Sequence, residues 1–129
     1  MTIKTAIQHV ALEFNDKKNA DIFFIKVLSL NFEKSFNISE NQSYEIFGIK
    51  QKMEINVYSN EKLCFEIFIS NKQKIKSFEH VCIEVIDKEK LIKRCNENNI
   101  KILNVKKGKK NLLFIKDQSD NLYEIKERR

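Results

Sequence analysis

A six-residue pattern occurs twice in the sequence, and this repeat constrains the fold more than any other feature. HVALEF begins at His9, and its counterpart HVCIEV begins at His80. The chain has only two histidines, and each opens one copy of the pattern. The copies start 71 residues apart. A repeat with this period predicts two similar structural units joined in tandem.

A second pair of matching stretches supports the duplication. Glu66 lies between Phe65 and Ile67, and Glu124 lies between Tyr123 and Ile125. The two glutamates are only 58 residues apart, so the first unit carries about 13 additional residues. We assign these residues to an extra short helix around Tyr44 to Phe47 that ends at Gly48, because glycine suits a helix C-terminus.

Hydrophobic periodicity predicts the same order of elements in both halves, namely a strand, a helix and three strands. In the first half the predicted strands are residues 6–14, 30–38, 53–59 and 63–70, with the helix at residues 17–29. In the second half they are residues 78–86, 100–105, 111–116 and 122–126, with the helix at residues 88–98. We therefore expect an α+β fold, with one domain over residues 1–129 and modules at about 5–70 and 76–127.

Composition excludes several classes of protein. A hydrophobic fraction of 42% is sufficient for a packed core, and the net charge of +6 comes mostly from scattered lysines. We find no aromatic RNA-reading motif, so we expect no nucleic-acid partner. We also find no signal peptide and no apolar run near the ~20 residues of a membrane span. Three cysteines without CxxC spacing indicate reduced thiols and a cytoplasmic protein.

Four side chains share one position in the strand alternation, and together they indicate a metal site. His9, His80, Glu66 and Glu124 each alternate with large apolar residues, so they face away from the predicted core. Each residue alone is more often a structural histidine or a solvated glutamate than a metal ligand. If the sheet curls into a cup, however, two imidazoles and two carboxylates converge. That donor set suits a divalent ion such as Zn, Ni, Co, Mn or Fe.

Longer stretches resemble a known family. HVALEFND followed by ADIFFIKVLSLNFE resembles the opening of glyoxalase and bleomycin-resistance proteins, the vicinal oxygen chelate superfamily. FEHVCIEVID and KDQSDNLYEI resemble the second half of these proteins. The resemblance covers nearly the whole chain. It implies two tandem βαβββ modules that form a curled mixed sheet around a metal cup, with ligands at His9, Glu66, His80 and Glu124, as in glyoxalase I.

The resemblance also implies an activity. A vicinal oxygen chelate enzyme with these ligands is a metal-dependent lyase or isomerase, similar to lactoylglutathione lyase or to an epimerase. It acts on a small α-oxo or α-hydroxy compound through a metal-stabilised enediolate. Glu66 or Glu124 would be the catalytic base, and the sequence does not distinguish between them. The arginine that many glyoxalases carry on the first strand is absent, because Glu13 and Phe14 occupy that region.

Other interpretations remain open at the level of sequence. Some proteins of the superfamily bind a drug without a metal, so a metal-free small-molecule binding or resistance protein is the alternative to the enzyme. The family also implies a homodimer, with the cup built either within one chain or across two. Cys64 and Cys82 share the face of the predicted ligands, but cysteine usually serves as a small buried hydrophobe. We interpret Lys106–Lys110 as a solvated hairpin turn.

Overall fold

The computed structural model describes residues 1–71 and 73–128. Two modules of matching order follow one another along the chain. The first contains β1 (Val10–Phe14), α1 (Lys17–Asp21) with a π-helical continuation (Ile22–Val27), β2 (Asn31–Ile38), α2 (Glu40–Phe47), β3 (Met53–Ser59) and β4 (Cys64–Ile69). The second contains β5 (Val81–Val85), α3 (Lys88–Glu97), β6 (Lys101–Lys107), β7 (Lys110–Lys116) and β8 (Leu122–Glu127).

Each module forms a four-stranded mixed sheet with the same topology. The strand order is β1-β4-β3-β2 in the first module and β5-β8-β7-β6 in the second. In each sheet the first strand runs parallel to the last, and the remaining neighbours are antiparallel. The predicted α+β class and tandem βαβββ order are therefore confirmed.

Capping side chains explain where the helices begin. Asp16 accepts a hydrogen bond from the backbone N–H of Asn19 at 2.7 Å, and Asp87 does the same for Lys90 at 3.0 Å. These two aspartates are 71 residues apart, so the repeat extends to the helix caps. The extra helix α2 is also confirmed, with Ser39 at its N-terminus in a capping box and Gly48 in the left-handed conformation at its end.

The helix predicted at residues 17–29 differs from the observed one, because its second half is π-helical. The N–H of Leu28 donates to the carbonyl of Phe23 at 3.0 Å, a bond that spans five residues instead of four. Phe23, Phe24 and Val27 are all buried in this segment. The wider turn therefore places closely spaced apolar residues in the core together.

Both leading strands are shorter than predicted. β1 begins at Val10 instead of residue 6, and β5 begins at Val81 instead of residue 78. In the parallel register, Val10 lies opposite Phe65 and Val81 lies opposite Tyr123. The paired register starts one residue into β4 and one residue into β8, so His9 and His80 lie just outside the ladders. Residues 6–9 and 78–80 therefore belong to neither strand.

One hydrophobic core joins the two modules. Its buried residues come from both sheets and from α1, the π-helical segment and α3. Phe23 of the first module contacts Tyr123 of the second, with ring centroids 4.8 Å apart. The turn before β8 also binds the end of β1, since the Asn121 side chain donates to the Glu13 carbonyl at 3.0 Å. No helix among the described residues is long and apolar enough to cross a membrane.

Candidate functional site

The predicted alternation of faces is present in the strands that carry the glutamates. Glu66 and Glu124 are partly exposed, whereas their neighbours on each strand are buried in the core. Those buried neighbours are Phe65, Ile67, Tyr123 and Ile125. We call the face of each sheet that carries the glutamate its cup face.

The structure brings the four predicted ligands together as two pairs. Nε2 of His9 lies 3.3 Å from Oε1 of Glu66, and Nε2 of His80 lies 3.6 Å from Oε1 of Glu124. Exposed fractions also match, at 37% and 25% for the first pair and 38% and 20% for the second. The repeated sequence thus produces the same half-open pair of nitrogen and oxygen donors twice.

Strand register explains how each pair forms. Ala11 lies opposite Glu66, and Cys82 lies opposite Glu124. Each histidine lies two residues before these positions, on the same face. Its side chain therefore reaches the carboxylate diagonally across a parallel strand pair.

Local contacts orient both imidazole rings in the same way. Nδ1 of His9 contacts the side-chain oxygen of Gln8, and Nδ1 of His80 contacts the backbone carbonyl of Phe78 at 2.9 Å. Both partners offer an acceptor oxygen to Nδ1, and Nε2 is the ring nitrogen that lies nearest the carboxylate in each pair. Such a bond at the far nitrogen is typical of histidines that bind metals through the near one.

Within a single chain the two pairs do not form one cluster. Among residues 1–71 and 73–128, no group of three or more His, Cys, Asp or Glu side chains is placed to hold a metal ion. Each pair supplies two donors, whereas protein sites for zinc or other transition ions normally use at least three. The four-residue ligand set therefore stays a prediction that requires the two pairs to meet.

The cup face of the second module also carries positive charge. Nζ of Lys126 lies 3.7 Å from Oε2 of Glu124. Phe114 lies opposite Glu124, and Lys116 follows Phe114 by two residues, so Lys116 is on the cup face. Lys101 lies opposite Lys116 and therefore shares this face. The predicted hairpin turn is confirmed nearby, where Gly108 connects β6 and β7 with φ of 62°.

The three cysteines are free and differ in exposure. Cys95 is buried, Cys64 is half-buried and Cys82 is exposed. Burial raises the pKa of all three thiols, and that of Cys95 reaches about 11. Cys95 therefore fits the role of a buried hydrophobe, whereas Cys82 lies on the cup face beside Glu124.

Sequence reasoning missed a cavity of about 550 Å³ at one end of the first module's cup face. Its wall includes Phe47 from α2, Met53 from β3 and Phe68 from β4. A signal was present in the sequence, because Met53, Ile55 and Val57 are apolar on the strand face predicted to be open. Their burial shows that this face is covered.

Comparison with known proteins identifies the fold. No protein-family model and no curated protein matches the sequence. The structure is similar to the fosfomycin resistance protein FosX from Listeria monocytogenes, with a TM-score of 0.74 and 9% identity over 98% of this chain and 96% of that one. It is also similar to a glyoxalase family protein from Bacillus cereus, with a TM-score of 0.71 and 17% identity over 98% of both chains.

A third similar structure is FosX from Mesorhizobium loti, with a TM-score of 0.70 and 10% identity over 96% of this chain and 92% of that one. One Listeria FosX structure contains Mn(II) and dihydroxypropylphosphonic acid. These proteins are members of the vicinal oxygen chelate superfamily, and the likeness shows that this chain has their glyoxalase-like fold.

Proposed function

We propose that this chain, which has the glyoxalase-like fold of the vicinal oxygen chelate superfamily, is a divalent-metal-dependent enzyme that acts on a small molecule with two neighbouring oxygens. The observation that carries the proposal is the duplicated pair, in which His9 with Glu66 and His80 with Glu124 share one geometry. A lone pair of this kind is common on protein surfaces. The same pair at equivalent positions of both modules is what a two-part metal site requires.

The donors fit a divalent transition ion. Two imidazole Nε2 atoms and two carboxylates make a mixed nitrogen and oxygen set, which zinc, manganese, nickel, cobalt and iron all accept. A bound ion would act as a Lewis acid toward the substrate oxygens. Mn(II) is the first ion to test, because it occurs in the FosX structures.

We assign completion of the site to a second copy of the chain. Exposed apolar residues flank both histidines, with Ile7 two residues before His9 and Phe78 two residues before His80. Ile7 and Phe78 are themselves 71 residues apart, so the repeat includes them. A second copy of the chain that packs on both modules would bury these two side chains. In a two-fold dimer the first module of each copy would face the second module of the other, which makes four donors per site.

The two glutamates have the clearest chemical role in this arrangement. A carboxylate within hydrogen-bond reach of a substrate C–H can remove a proton from one carbon and return it to the next. Glu66 and Glu124 are equivalent in the repeat, so either can be the base and the other a metal ligand. The activity is thus that of a lyase or isomerase on an α-oxo or α-hydroxy compound. The free cysteines support a cytoplasmic location.

Metal titration of single variants tests the site. We expect the wild type to bind about one Mn(II) per chain in calorimetry, and we expect His9→Ala and His80→Ala each to weaken binding at least about tenfold. Glu84→Gln is the matched control, because Glu84 lies on the same strand face as His80 but pairs with Arg128. A wild type that binds no divalent ion at micromolar concentration would contradict the proposal and favour a metal-free binding protein.

Mixing two inactive variants tests the shared site. In a dimer with composite cups, a His9→Ala chain paired with a His80→Ala chain has one intact cup and one lacking both histidines. Random exchange of subunits should therefore restore about a quarter of the wild-type metal sites. Unmixed variants, measured at the same concentration, provide the baseline. No recovery on mixing, in samples whose subunits have exchanged, would contradict a site shared between two copies.

A substrate screen with the metal-loaded protein identifies the reaction. Fosfomycin belongs in the screen because of the FosX similarity, alongside α-hydroxy acids and the thiol adducts of α-oxo aldehydes. Proton exchange at the carbon next to the oxygen, followed by NMR in deuterated water, reports on the proposed base directly. Glu66→Gln and Glu124→Gln then show which carboxylate removes the proton.

A further inference from the structure

We infer that the cavity beneath α2 binds an apolar end of the substrate, so that the substrate carries an aromatic or branched alkyl group in addition to its metal-binding oxygens. The inference rests on the proposed function for the position of the polar end. Binding in the cavity itself is measured independently of any metal.

The helix α2 is an addition to the first module alone. In the second module β6 and β7 are joined by a tight turn at Gly108, whereas β2 and β3 are joined through α2. α2 lies on the cup face, since Ser43 is buried and the ring of Phe47 meets that of Phe68 edge-on at 5.5 Å. The helix α2 therefore covers part of the cup face in the first module, whereas the second module, within residues 73–128, has no helix at the equivalent position.

The cavity under this roof has the size and chemistry of a small-molecule site. Its volume of about 550 Å³ lies within the usual range of ~300–1,000 Å³ for ligand pockets. Phe47, Ile49, Met53 and Phe68 supply an apolar wall. Most of the other lining residues are polar, and Glu13, Lys74 and Glu79 are the charged ones. The apolar wall beneath α2 fits an uncharged ring or a branched chain.

The cavity lies beside the first donor pair. Ala11 lines it and is opposite Glu66 in the strand register. Phe68 also lines it and follows Glu66 by two residues on the same face, a distance of about 7 Å along the strand. A substrate held by its oxygens near Glu66 can therefore reach the cavity with a group one or two carbons away.

Phenyllactate and lactate provide a matched pair of probes. Both carry the same hydroxyl and carboxylate, and only phenyllactate has a ring. With Mn(II)-loaded protein we expect phenyllactate to bind about tenfold more tightly than lactate, since the ring leaves water for an apolar cavity. Equal affinities in a protein that binds Mn(II) would overturn the inference while the proposed function stands.

Three variants locate the ring. Phe47→Ala removes part of the wall, and Ile49→Trp narrows the cavity, so both should reduce the affinity ratio of the two probes at least about threefold. Tyr44→Ala is the matched control on the same helix, because Tyr44 is 59% exposed, compared with 50% for Phe47, and does not line the cavity. An unchanged ratio in both cavity variants would contradict the assignment.

Benzyl alcohol separates this inference from the metal site. It has no chelating pair of oxygens, so saturation-transfer NMR with chelator-treated protein reports on the cavity alone. We expect binding by the wild type and Tyr44→Ala and weaker binding by Ile49→Trp. If Mn(II) does not bind but benzyl alcohol does, the proposed function fails and the apolar site stands. Absence of benzyl alcohol binding overturns the cavity assignment.

Discussion

Asp117 shows how a single buried carboxylate organises the turn that precedes β8. Its two oxygens accept hydrogen bonds from the backbone of Ser119 and Asn121, from the Asn121 side chain and from the Tyr123 hydroxyl at 2.7 Å. The same turn binds β1 through Asn121. Residues 117–121 contain neither Pro nor Gly, and side-chain hydrogen bonds to Asp117 hold this turn.

Burial raises the pKa of Asp117 above its ordinary value of 3.8, against the lowering effect of those hydrogen bonds. The folded protein therefore binds the Asp117 proton more tightly than the unfolded chain. The resulting stabilisation is complete below pH ~4 and disappears as the pH rises through the raised pKa. In urea unfolding, the wild type should lose stability relative to Asp117→Asn over that interval. Asp120→Asn, in the same turn, controls for the loss of one charge.

Thiol reactivity should follow the three cysteine environments. We expect iodoacetamide to modify exposed Cys82 first, half-buried Cys64 more slowly and Cys95 only on unfolding, because burial raises the Cys95 pKa to about 11. Peptide mass spectrometry over a time course measures the order. Modification of Cys95 in the folded protein at the rate of Cys82 would contradict the buried position.

At the scale of elements, sequence patterns predicted what is local and missed what depends on contact between elements. The end of α2 at Gly48 was predicted because a glycine acts within the last helical turn. The capping residues Asp16, Ser39 and Asp87 act over the same short range. The π-helical bonding of residues 22–27 is determined by core packing, which no short pattern records. The starts of β1 and β5 depend on strand partners distant in sequence.

α2 offers a test of the link between an element and the cavity. Ser39→Ala removes the hydroxyl that accepts the Gln42 N–H, which should cost about 1 kcal/mol of stability. Because α2 forms the roof of the cavity, loss of its cap should also accelerate hydrogen exchange in residues 40–47. Ser77→Ala, in the segment before β5, is the control. A Ser39→Ala protein with unchanged exchange in α2 would show that packing on Phe68 alone holds the helix.

At the scale of the molecule, the sequence predicted the four candidate ligands but not their distribution. The alternation around Glu66 and Glu124 fixes which face they occupy, and the structure agrees. The distance between the two sheets, however, cannot be inferred from the sequences of the strands that carry Glu66 and Glu124. The separation of the four predicted ligands into two pairs is therefore evident only from the three-dimensional structure.

The shared core predicts that residues 1–129 unfold as one unit. Phe23 contacts Tyr123 across the modules, and Asn15 donates its N–H to Ser119 at 3.0 Å. We expect a single transition in calorimetry, with a van't Hoff enthalpy equal to the calorimetric enthalpy. A fragment of residues 1–71 should remain largely unfolded by circular dichroism, because it loses half of that core. Two separate transitions would indicate independent modules.

Because only the first module has α2, the two walls of the proposed composite cup would differ. The wall from the first module would be apolar and covered by α2. The wall from the second module would be uncovered and positively charged, with Lys101, Lys116 and Lys126. A ligand with an apolar end and an anionic end would then bind in one orientation. In that orientation only one enantiomer would place the hydrogen of its reacting carbon next to the carboxylate base. In the proposed enzyme, the unequal halves of the duplicated fold would provide a structural basis for stereochemical selectivity.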